Sequence, residues 1–328
     1  MVLARGTRGT MRAMSSHVLV TGGCGFIGSH LVRALLAQGA RVRVLDDLST
    51  GRASNLEGVE RAHLELIQDD LRDPAACRRA CAGVEVVYHQ AAVPSVPRSV
   101  EEPETTFAVN VGGTHTLLLE ARAARVRRVV LASSSSVYGD QPELPKHERM
   151  PPAPASPYAA QKLAGEQLAL AFSRSMGIEA AALRYFNVYG PRQDPSSGYA
   201  AVIPAFAAAL LRGQAPRING DGEQTRDFTF VEDVVRANLA ACEAPGASGQ
   251  TFNVAGGRRI TINELFRRVA DALGLSDARP EHGPARAGDV RDSLASIEAA
   301  REVLGWAPQV SLEEGIARTV AAYQAELA

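Results

Sequence analysis

Short apolar runs alternate with longer, helix-like stretches along the first half of the chain. Five runs have the length and composition of β-strands and lie at residues 17–20, 42–45, 64–67, 84–87 and 129–131. The intervening stretches, such as 114–124, repeat apolar residues three or four positions apart, which is the spacing of an amphipathic helix. We therefore predict an α/β protein built on a doubly wound parallel sheet.

A glycine-rich turn joins the first predicted strand to the first predicted helix, which ends at Gly39. In the segment TGGCGFIGSHL, Gly22 permits a tight turn, Gly25 lets the backbone approach a pyrophosphate and Gly28 allows close packing of helix on strand. The phosphates of a dinucleotide are expected at the helix N-terminus, beside Phe26 and Ile27. This turn predicts a Rossmann-type cofactor site.

Asp46 ends the second predicted strand, close to the ~20 residues after the glycine turn at which a carboxylate binds the adenosine ribose. A carboxylate there would repel a 2′-phosphate, so NAD is favoured over NADP. Asp47 could share this role, and the neighbouring Arg52 is the feature that would suit NADP.

Tyr158 and Lys162 stand four residues apart, directly after a helix start at Ser156 and Pro157. Positions i and i+4 project from one face of an α-helix, so the phenol and the ammonium can meet one substrate. The lysine charge and the positive nicotinamide of an oxidised cofactor are expected to lower the phenol pKa from about 10. We interpret Tyr158 as a general base. The same spacing occurs on ordinary surface helices, and the glycine turn upstream gives it weight here.

Polar residues end three of the predicted strands. They are Asp69 with Asp70, His89 with Gln90, and the serines at 133–136. Ligands of a doubly wound sheet bind beyond the carboxyl ends of its strands. We expect these clusters to line the binding crevice.

The composition is that of an ordinary globular chain of 328 residues, 46% hydrophobic and 22% charged, with a formal net charge of −1. Without a sustained Lys/Arg block, nucleic acid and anionic membrane surfaces are unexpected partners. No segment approaches the ~18 apolar residues of a membrane span, and the leader has no apolar core. We expect a cytoplasmic protein with a disordered start.

Four cysteines occur in the chain, and Cys77 and Cys81 stand at helical spacing without the second pair that a zinc site needs. No metal site is predicted. Free, buried thiols in a reducing compartment are the better interpretation.

From His17 onward the chain resembles the extended short-chain dehydrogenases/reductases of the NAD-dependent, sugar-nucleotide epimerase/dehydratase type. The segments that carry the resemblance are TGGCGFIGSHL, VLDDLSTG, DDLRD, HQAA, SSSSVYG, SPYAAQK, LRYFNVYGPR, TRDF and GDVRDSLA. The resemblance implies NAD as cofactor, a UDP-sugar as substrate and a catalytic Ser134–Tyr158–Lys162 set. Ser134 is assigned because it precedes Tyr138 by four residues, and a hydroxyl there could bond the sugar oxygen.

The resemblance also implies further ligands on both sides of the cleft. Asp70 and Leu71 would contact the adenine, Ala91 and Ala92 would flank the pyrophosphate, and Lys162 would also hold the nicotinamide ribose. The other implied cofactor residues are Gln90, Asn110 near the active site, Tyr158 and Tyr185. Asn187, Arg226 and Arg286 look like diphosphate ligands, since the planar arginine fork donates two hydrogen bonds at once. The implied substrate wall is completed by Ala201, Val202, Asp289 and Ser293.

The reaction is narrowed by the residues after Ser134. Related dehydratases place an Asp-Glu pair there to eliminate water, and related decarboxylases keep a glutamate in that loop, whereas this chain has Ser135 and Ser136. Reversible oxidation at C4, rotation of the 4-keto sugar and reduction on the opposite face then form the simplest cycle. We predict a UDP-sugar 4-epimerase with tightly held NAD; a non-catalytic dinucleotide sensor or scaffold is the alternative from another class.

The preferred sugar is suggested by SVPRS, RQDPSSGYAAVIP and INGDGEQTRDF, which resemble the UDP-N-acetylglucosamine 4-epimerases. Ser293 stands where galactose-only enzymes can carry a bulky tyrosine, so it would leave room for an N-acetyl group. We expect UDP-GlcNAc/UDP-GalNAc with UDP-Glc/UDP-Gal as well. A UDP-uronic acid 4-epimerase is the alternative, with Arg98 as a candidate for the C6 carboxylate.

We divide the chain into a leader at 1–15, an NAD-binding Rossmann domain at 16–184 and a region at 185–328. The last region is expected to form mainly a smaller α/β sugar-nucleotide lobe, with some return to the sheet. By resemblance, a homodimer is expected through helices that include 105–124 and 157–176.

Overall fold

A parallel sheet of seven strands organises the part of the chain that the computed structural model describes, residues 17–194, 201–285 and 290–327. Its strands are β1 His17–Thr21, β2 Arg41–Asp46, β3 Leu64–Gln68, β4 Val86–His89, β5 Arg128–Ser134, β6 Glu179–Tyr185 and, much later in the chain, β11 Gln250–Val254. The order across the sheet is β11-β6-β5-β4-β1-β2-β3. The predicted fold class is confirmed.

The chain order reverses beside β1, which pairs with β2 on one side and β4 on the other. The carboxyl ends of β1 and β4 therefore diverge into different loops, and the gap between such loops is where doubly wound sheets bind ligands. All five strands predicted from apolar runs are present. β6 and β11 extend the sheet on the side away from β3; neither was among the predicted strands, although the C-terminal region was expected to return in part to the sheet.

Helices cover both faces of the sheet, which explains why its strands are apolar on consecutive positions. Val18 and Val20 point into one apolar cluster, whereas Leu19 between them points into the other. The helices are α1 Phe26–Ala37, α2 Pro74–Cys81, α3 Val96–Glu101, α4 Pro103–Phe107, α5 Thr114–Ala123, α6 Pro157–Ser175, α7 Val202–Leu211, α8 Val231–Glu243, α9 Ile262–Ala272, α10 Glu298–Leu304 and α11 Leu312–Leu327.

The helix predicted around 105–124 is interrupted by a π-helical segment, Ala108–Gly113, between α4 and α5. Short 3₁₀ turns occur at Ala53–Leu56, Arg61–His63, Ser135–Tyr138 and Pro245–Ala247. π-Helical turns are rare and frequently lie at functional sites, because they displace one residue from the helical register. Here the displaced turn contains Asn110.

A third apolar cluster holds the C-terminal part of the chain together, around Phe206, Leu265 and Ile316. Small strands lie beside it: β7 Val188–Tyr189, β8 Arg217–Asn219, β9 Thr225–Asp227, β10 Thr229–Phe230, β12 Arg259–Thr261 and β13 Glu281–Gly283. All four cysteines are buried and free, as expected. Within the described ranges, no helix combines the length and the apolarity needed to cross a membrane.

Candidate active site

One cleft of about 1100 Å³ opens at the carboxyl ends of the central strands. The predicted site residues that line it are Gly22, Gly25, Phe26, Ile27, Gly28, Asp46, Asp47, Asp70, Leu71, Gln90, Ala91, Ala92, Ser134, Tyr158, Tyr185, Asn187, Ala201, Arg226 and Ser293. These residues come from loops far apart in the sequence. The parallel sheet brings them together because its strands all end at the same edge.

Three predicted site residues do not form part of the cleft wall. Asn110 is buried in the π-helical turn, Lys162 lies on α6 one turn beyond Tyr158, and Val202 packs at the start of α7 against the third apolar cluster. Arg286 and Asp289, both predicted to bind substrate, lie outside the described residues.

The glycine turn has the close packing that the sequence predicted. A methyl group on Gly28 would lie 2.0 Å from the carbonyl oxygen of Gly22. Gly22 itself has a φ of +67°, and a methyl group there would lie 2.7 Å from the Ala91 backbone. Helix α1 begins with Gly25 as its N-cap and has no side-chain cap, so its first N–H groups face the cleft loop without a side-chain partner. This bare helix start fits a pyrophosphate.

The carboxylate of Asp46 is fixed at the end of β2, where an adenosine ribose is expected. It accepts hydrogen bonds from the Cys24 N–H at 2.8 Å and the Leu48 N–H at 2.9 Å. Arg52, the residue that would suit NADP, pairs instead with Asp194 at 2.8 Å from across the cleft. Arg52 is therefore directed toward Asp194, and with the Asp46 carboxylate fixed at this position the residues fit NAD better than NADP.

Tyr158 and Ser134 approach each other from α6 and β5. Ser134 caps the 3₁₀ turn Ser135–Tyr138, and its hydroxyl lies near enough to Tyr158 to favour the phenolate. The N–H of Tyr158 donates to the Ser99 hydroxyl at 3.0 Å, while the Ser156 side chain caps α6. The start of the helix that carries the phenol is thus held from two directions.

In the protein chain alone, the pKa of Tyr158 changes in the direction opposite to the expectation. Burial raises it to about 12, and the Ser134 hydroxyl opposes this only in part. Burial also lowers the pKa of Lys162 to about 8, against the favourable charge of Glu166. Desolvation of the phenolate exceeds the help that the chain's own residues give, so an additional positive charge is needed to make Tyr158 a base near neutral pH.

A buried ion pair lies one turn further along α6. Glu166 is fully buried and accepts two hydrogen bonds from Arg184, at 3.0 and 2.6 Å, and one from the Ser133 hydroxyl at 2.7 Å. The Arg184 guanidinium also lies 4.7 Å from the centre of the Tyr138 ring. Positions 158, 162 and 166 share one face of α6. The Glu166–Arg184 ion pair therefore lies one helical turn beyond Lys162 on the face that carries Tyr158.

A second buried network joins the π-helical turn to α6 and β1. The Asn110 side-chain oxygen accepts a hydrogen bond from the Val93 N–H, and its NH₂ group donates to the Val93 carbonyl oxygen. The same NH₂ group donates to the Gln161 side chain at 2.9 Å. His89 does not line the cleft, contrary to expectation. Its ring is buried between the hydroxyls of Thr21 at 2.7 Å and Thr114 at 2.8 Å, and burial lowers its pKa to about 3, so it is a neutral structural residue.

On the substrate side of the cleft, the predicted ligand residues are fixed by hydrogen bonds to backbone carbonyl oxygens. The Asn187 amide donates to the carbonyl oxygen of Asp227 at 2.9 Å. The Arg226 guanidinium and the Ser293 N–H both donate to the carbonyl oxygen of Thr225, at 2.9 and 3.1 Å. Arg226 and Ser293 therefore meet at one residue, although they are far apart in the sequence.

Ser99, Glu166 and Arg184 support the site but were not among the residues predicted from sequence. Ser99 belongs to the SVPRS segment, which the sequence linked to the choice of sugar. In the structure its hydroxyl accepts a hydrogen bond from the Tyr158 backbone N–H. A signal for Glu166 was available, because it continues the four-residue spacing of Tyr158 and Lys162. Its pairing with Arg184 required the tertiary structure.

Comparison with known proteins agrees with this site. The family described as NAD dependent epimerase/dehydratase matches residues 18–255. The UDP-glucose 4-epimerase of Mycolicibacterium smegmatis is 48% identical over 305 residues, which are 92% of this chain and 96% of that protein. A solved UDP-N-acetylglucosamine 4-epimerase from Methanobrevibacter ruminantium, in complex with UDP-N-acetylmuramic acid, is 40% identical with a TM-score of 0.91, covering 95% of this chain and 99% of that one.

Dehydratases are also similar to this chain. The dTDP-glucose 4,6-dehydratase of Streptomyces griseus is 38% identical over 318 residues, with 94% of each protein covered. The expected family and the expected cofactor, NAD, are confirmed by these findings. The chain belongs to the NAD-dependent epimerase/dehydratase family.

Proposed function

We propose that this protein is an NAD-dependent UDP-sugar 4-epimerase. The observation that carries the proposal is the combination of Tyr158 and Ser134 in one cleft with Ser135 and Ser136, and not an acid/base pair, in the following turn. The similar 4-epimerases support the reaction. Elimination of water would need an additional acid and base beside the sugar, and this turn contains none.

The chain's own residues would manage the proton of the sugar 4-hydroxyl. Tyr158 would take this proton, Ser134 would donate a hydrogen bond to the same oxygen, and the Lys162 ammonium would favour the phenolate. A bound NAD would supply reversible hydride transfer at C4, and return of the hydride to the opposite face of the 4-keto sugar would invert this carbon. Tyr158 would then give back the proton, so the enzyme and its cofactor end the cycle unchanged.

We further propose that residues 16–184 hold NAD and that most of 185–328 holds the sugar nucleotide. The glycine turn, Asp46, Asp47, Asp70 and Leu71 would bind the adenosine diphosphate half. Asn187, Arg226 and Arg286 would bind the diphosphate of the substrate. Arg226 suits this role because its guanidinium lies in the cleft wall and is fixed by the Thr225 carbonyl group.

UDP-GlcNAc and UDP-GalNAc are the proposed main substrates, with UDP-Glc and UDP-Gal accepted as well. Ser293 lines the cleft with a small side chain and is tied to Thr225 through its backbone, so it leaves space at the sugar end. The similar enzyme bound to UDP-N-acetylmuramic acid supports a site of this size.

A UDP-uronic acid is the second candidate substrate, because Arg98 also lines the cleft. Its guanidinium contacts Glu102 only at 3.3 Å, across one turn of α3, and its side chain is 32% exposed. An ion pair this exposed is weak, so a substrate carboxylate could compete for the arginine.

We also propose the homodimer expected from the resemblance. Phe107 on α4 is 56% exposed, Leu119 on α5 is 43% exposed and Met176 at the end of α6 is 39% exposed. These exposed apolar residues lie on or at the ends of the helices expected in the dimer contact, and they support an association surface there. A monomer by light scattering at micromolar concentration would exclude this assembly.

The function is tested by incubating the purified protein, without added cofactor, with UDP-GlcNAc, UDP-Glc and UDP-GlcA separately. The C4 epimers are resolved by chromatography, and dTDP-glucose serves as a control for loss of water. Conversion of UDP-GlcNAc supports the proposal, and the UDP-Glc rate measures its breadth. Conversion of UDP-GlcA alone would favour the uronic acid alternative, whereas dehydration of dTDP-glucose would overturn the epimerase assignment.

A further inference from the structure

We propose that Ser136 is a positioning residue that fixes the direction in which the Ser134 hydroxyl donates its proton. This inference rests on the proposed function and deepens it. It concerns a side chain whose hydrogen bond in the described structure is to Ser134, and which would act through that residue.

The proposal follows from the hydrogen-bonding capacity of a hydroxyl, which has one donor and two acceptor positions. The Ser134 oxygen accepts from the Ser136 N–H at 3.1 Å and from the Ser136 hydroxyl at 2.8 Å. Both acceptor positions are therefore filled by one residue. The remaining capacity of Ser134 is its own O–H, which must be donated elsewhere.

The geometry of the turn gives this O–H a defined target. Ser134 ends β5, and Ser136 lies in the 3₁₀ turn that follows, so both donors approach the oxygen from the turn side. Tyr158, at the start of α6, is the residue whose phenolate the Ser134 hydroxyl favours. A hydroxyl that can only donate stabilises a phenolate or a sugar oxyanion, whereas a freely rotating one would spend part of its time as an acceptor.

The two bonds from Ser136 have separable roles. The backbone bond is an ordinary cap of the turn and persists with any side chain, since it needs only the N–H. The hydroxyl bond is additional and depends on a serine or threonine at 136. Replacement of this side chain therefore tests the orienting bond without removing the cap.

The experiment compares Ser136→Ala with Ser136→Thr, and uses Ser135→Ala as the matched control. No hydrogen bond of the Ser135 side chain is present in the described structure, so its loss leaves Ser134 oriented. We expect Ser136→Ala to lower kcat by roughly two- to twelvefold, the range for one net hydrogen bond, with KM little changed. Ser136→Thr should restore kcat, and Ser135→Ala should have a smaller effect.

A second readout does not depend on turnover. The ionisation of Tyr158 is followed in the NAD-loaded protein by ultraviolet difference titration against Tyr158→Phe. Ser136→Ala should raise the pKa of Tyr158, because Ser134 then donates to the phenolate less of the time, and Ser136→Thr should return it to the wild-type value.

The two readouts separate the possible failures. A raised Tyr158 pKa in Ser136→Ala without any epimerase activity in the wild type would support the role of Ser136 and overturn the proposed function. Wild-type epimerisation with an unchanged Tyr158 pKa and unchanged kcat in Ser136→Ala would overturn the role of Ser136 alone. Equal effects of Ser135→Ala and Ser136→Ala would also overturn it.

Discussion

Removal of the buried charge of Glu166 should destabilise the protein strongly. Glu166 is 0% exposed and Arg184 is 3% exposed, and two hydrogen bonds join them. In Glu166→Gln the side-chain volume is nearly unchanged, but the Arg184 cation loses its counter-charge inside the sheet. Breaking a buried pair by removing one partner costs about 3–5 kcal/mol. We expect the free energy of unfolding to fall by this amount.

The measurement is urea unfolding followed by circular dichroism, with two matched variants. Glu264→Gln breaks an exposed pair with Arg268 on α9, which should cost about 0.3–0.5 kcal/mol. The double variant Glu166→Leu/Arg184→Met removes both buried charges, so it should recover most of the stability lost in Glu166→Gln.

The same substitution should change the pH dependence of activity. Glu166 raises the pKa of Lys162, which burial lowers to about 8. Without that carboxylate, and with Arg184 still charged nearby, the ammonium should lose its proton at a lower pH. The alkaline limb of the kcat/KM profile should move down in Glu166→Gln, and less so in the double variant. A Glu166→Gln protein as stable as the wild type, with an unmoved limb, would refute this account.

Three further predictions concern the site itself. Tyr158→Phe should reduce epimerisation by roughly 10²–10⁴-fold while NAD remains bound, and turnover near the wild-type rate would exclude Tyr158 as the base. In the wild type, activity should fall as the pH rises through about 8, because the charged form of Lys162 is the one that favours the phenolate; a flat profile from pH 7 to 9.5 would contradict this. Gly28→Ala should lower both stability and NAD content, since its methyl group would lie 2.0 Å from the Gly22 oxygen. The control Gly112→Ala, where the added methyl group would meet no atom within 4 Å beyond its own local backbone, should retain NAD.

Local sequence was sufficient for features that depend on neighbouring residues. The glycine turn, the carboxylate at the end of β2 and the Tyr158/Lys162 spacing were all recognised in short segments, and the structure places the turn, Asp46 and Tyr158 in one cleft. The short apolar runs identified five of the seven strands of the sheet, β1 to β5. They did not identify β6 or β11 as strands, although the region that contains β11 was expected to return in part to the sheet.

Other features depended on groups that meet only after folding. His89 ends a strand as predicted, but the hydroxyls on either side of its ring draw it into the interior. The expected fall in the Tyr158 pKa considered nearby charge and omitted the desolvation that burial imposes.

By itself, the sequence determined the doubly wound sheet and the residue types available for chemistry, because these follow from periodicity and short spacings. The family and its cofactor followed from the motif segments that the chain shares with known proteins. Only the tertiary structure decided how those residues are held: Glu166 against Arg184, Ser99 against the Tyr158 backbone, and Arg52 against Asp194. Each of these contacts joins segments distant in the chain. The energy of each contact depends on how deeply its groups are buried and on how their hydrogen bonds are oriented. Neither property can be predicted from a local sequence pattern.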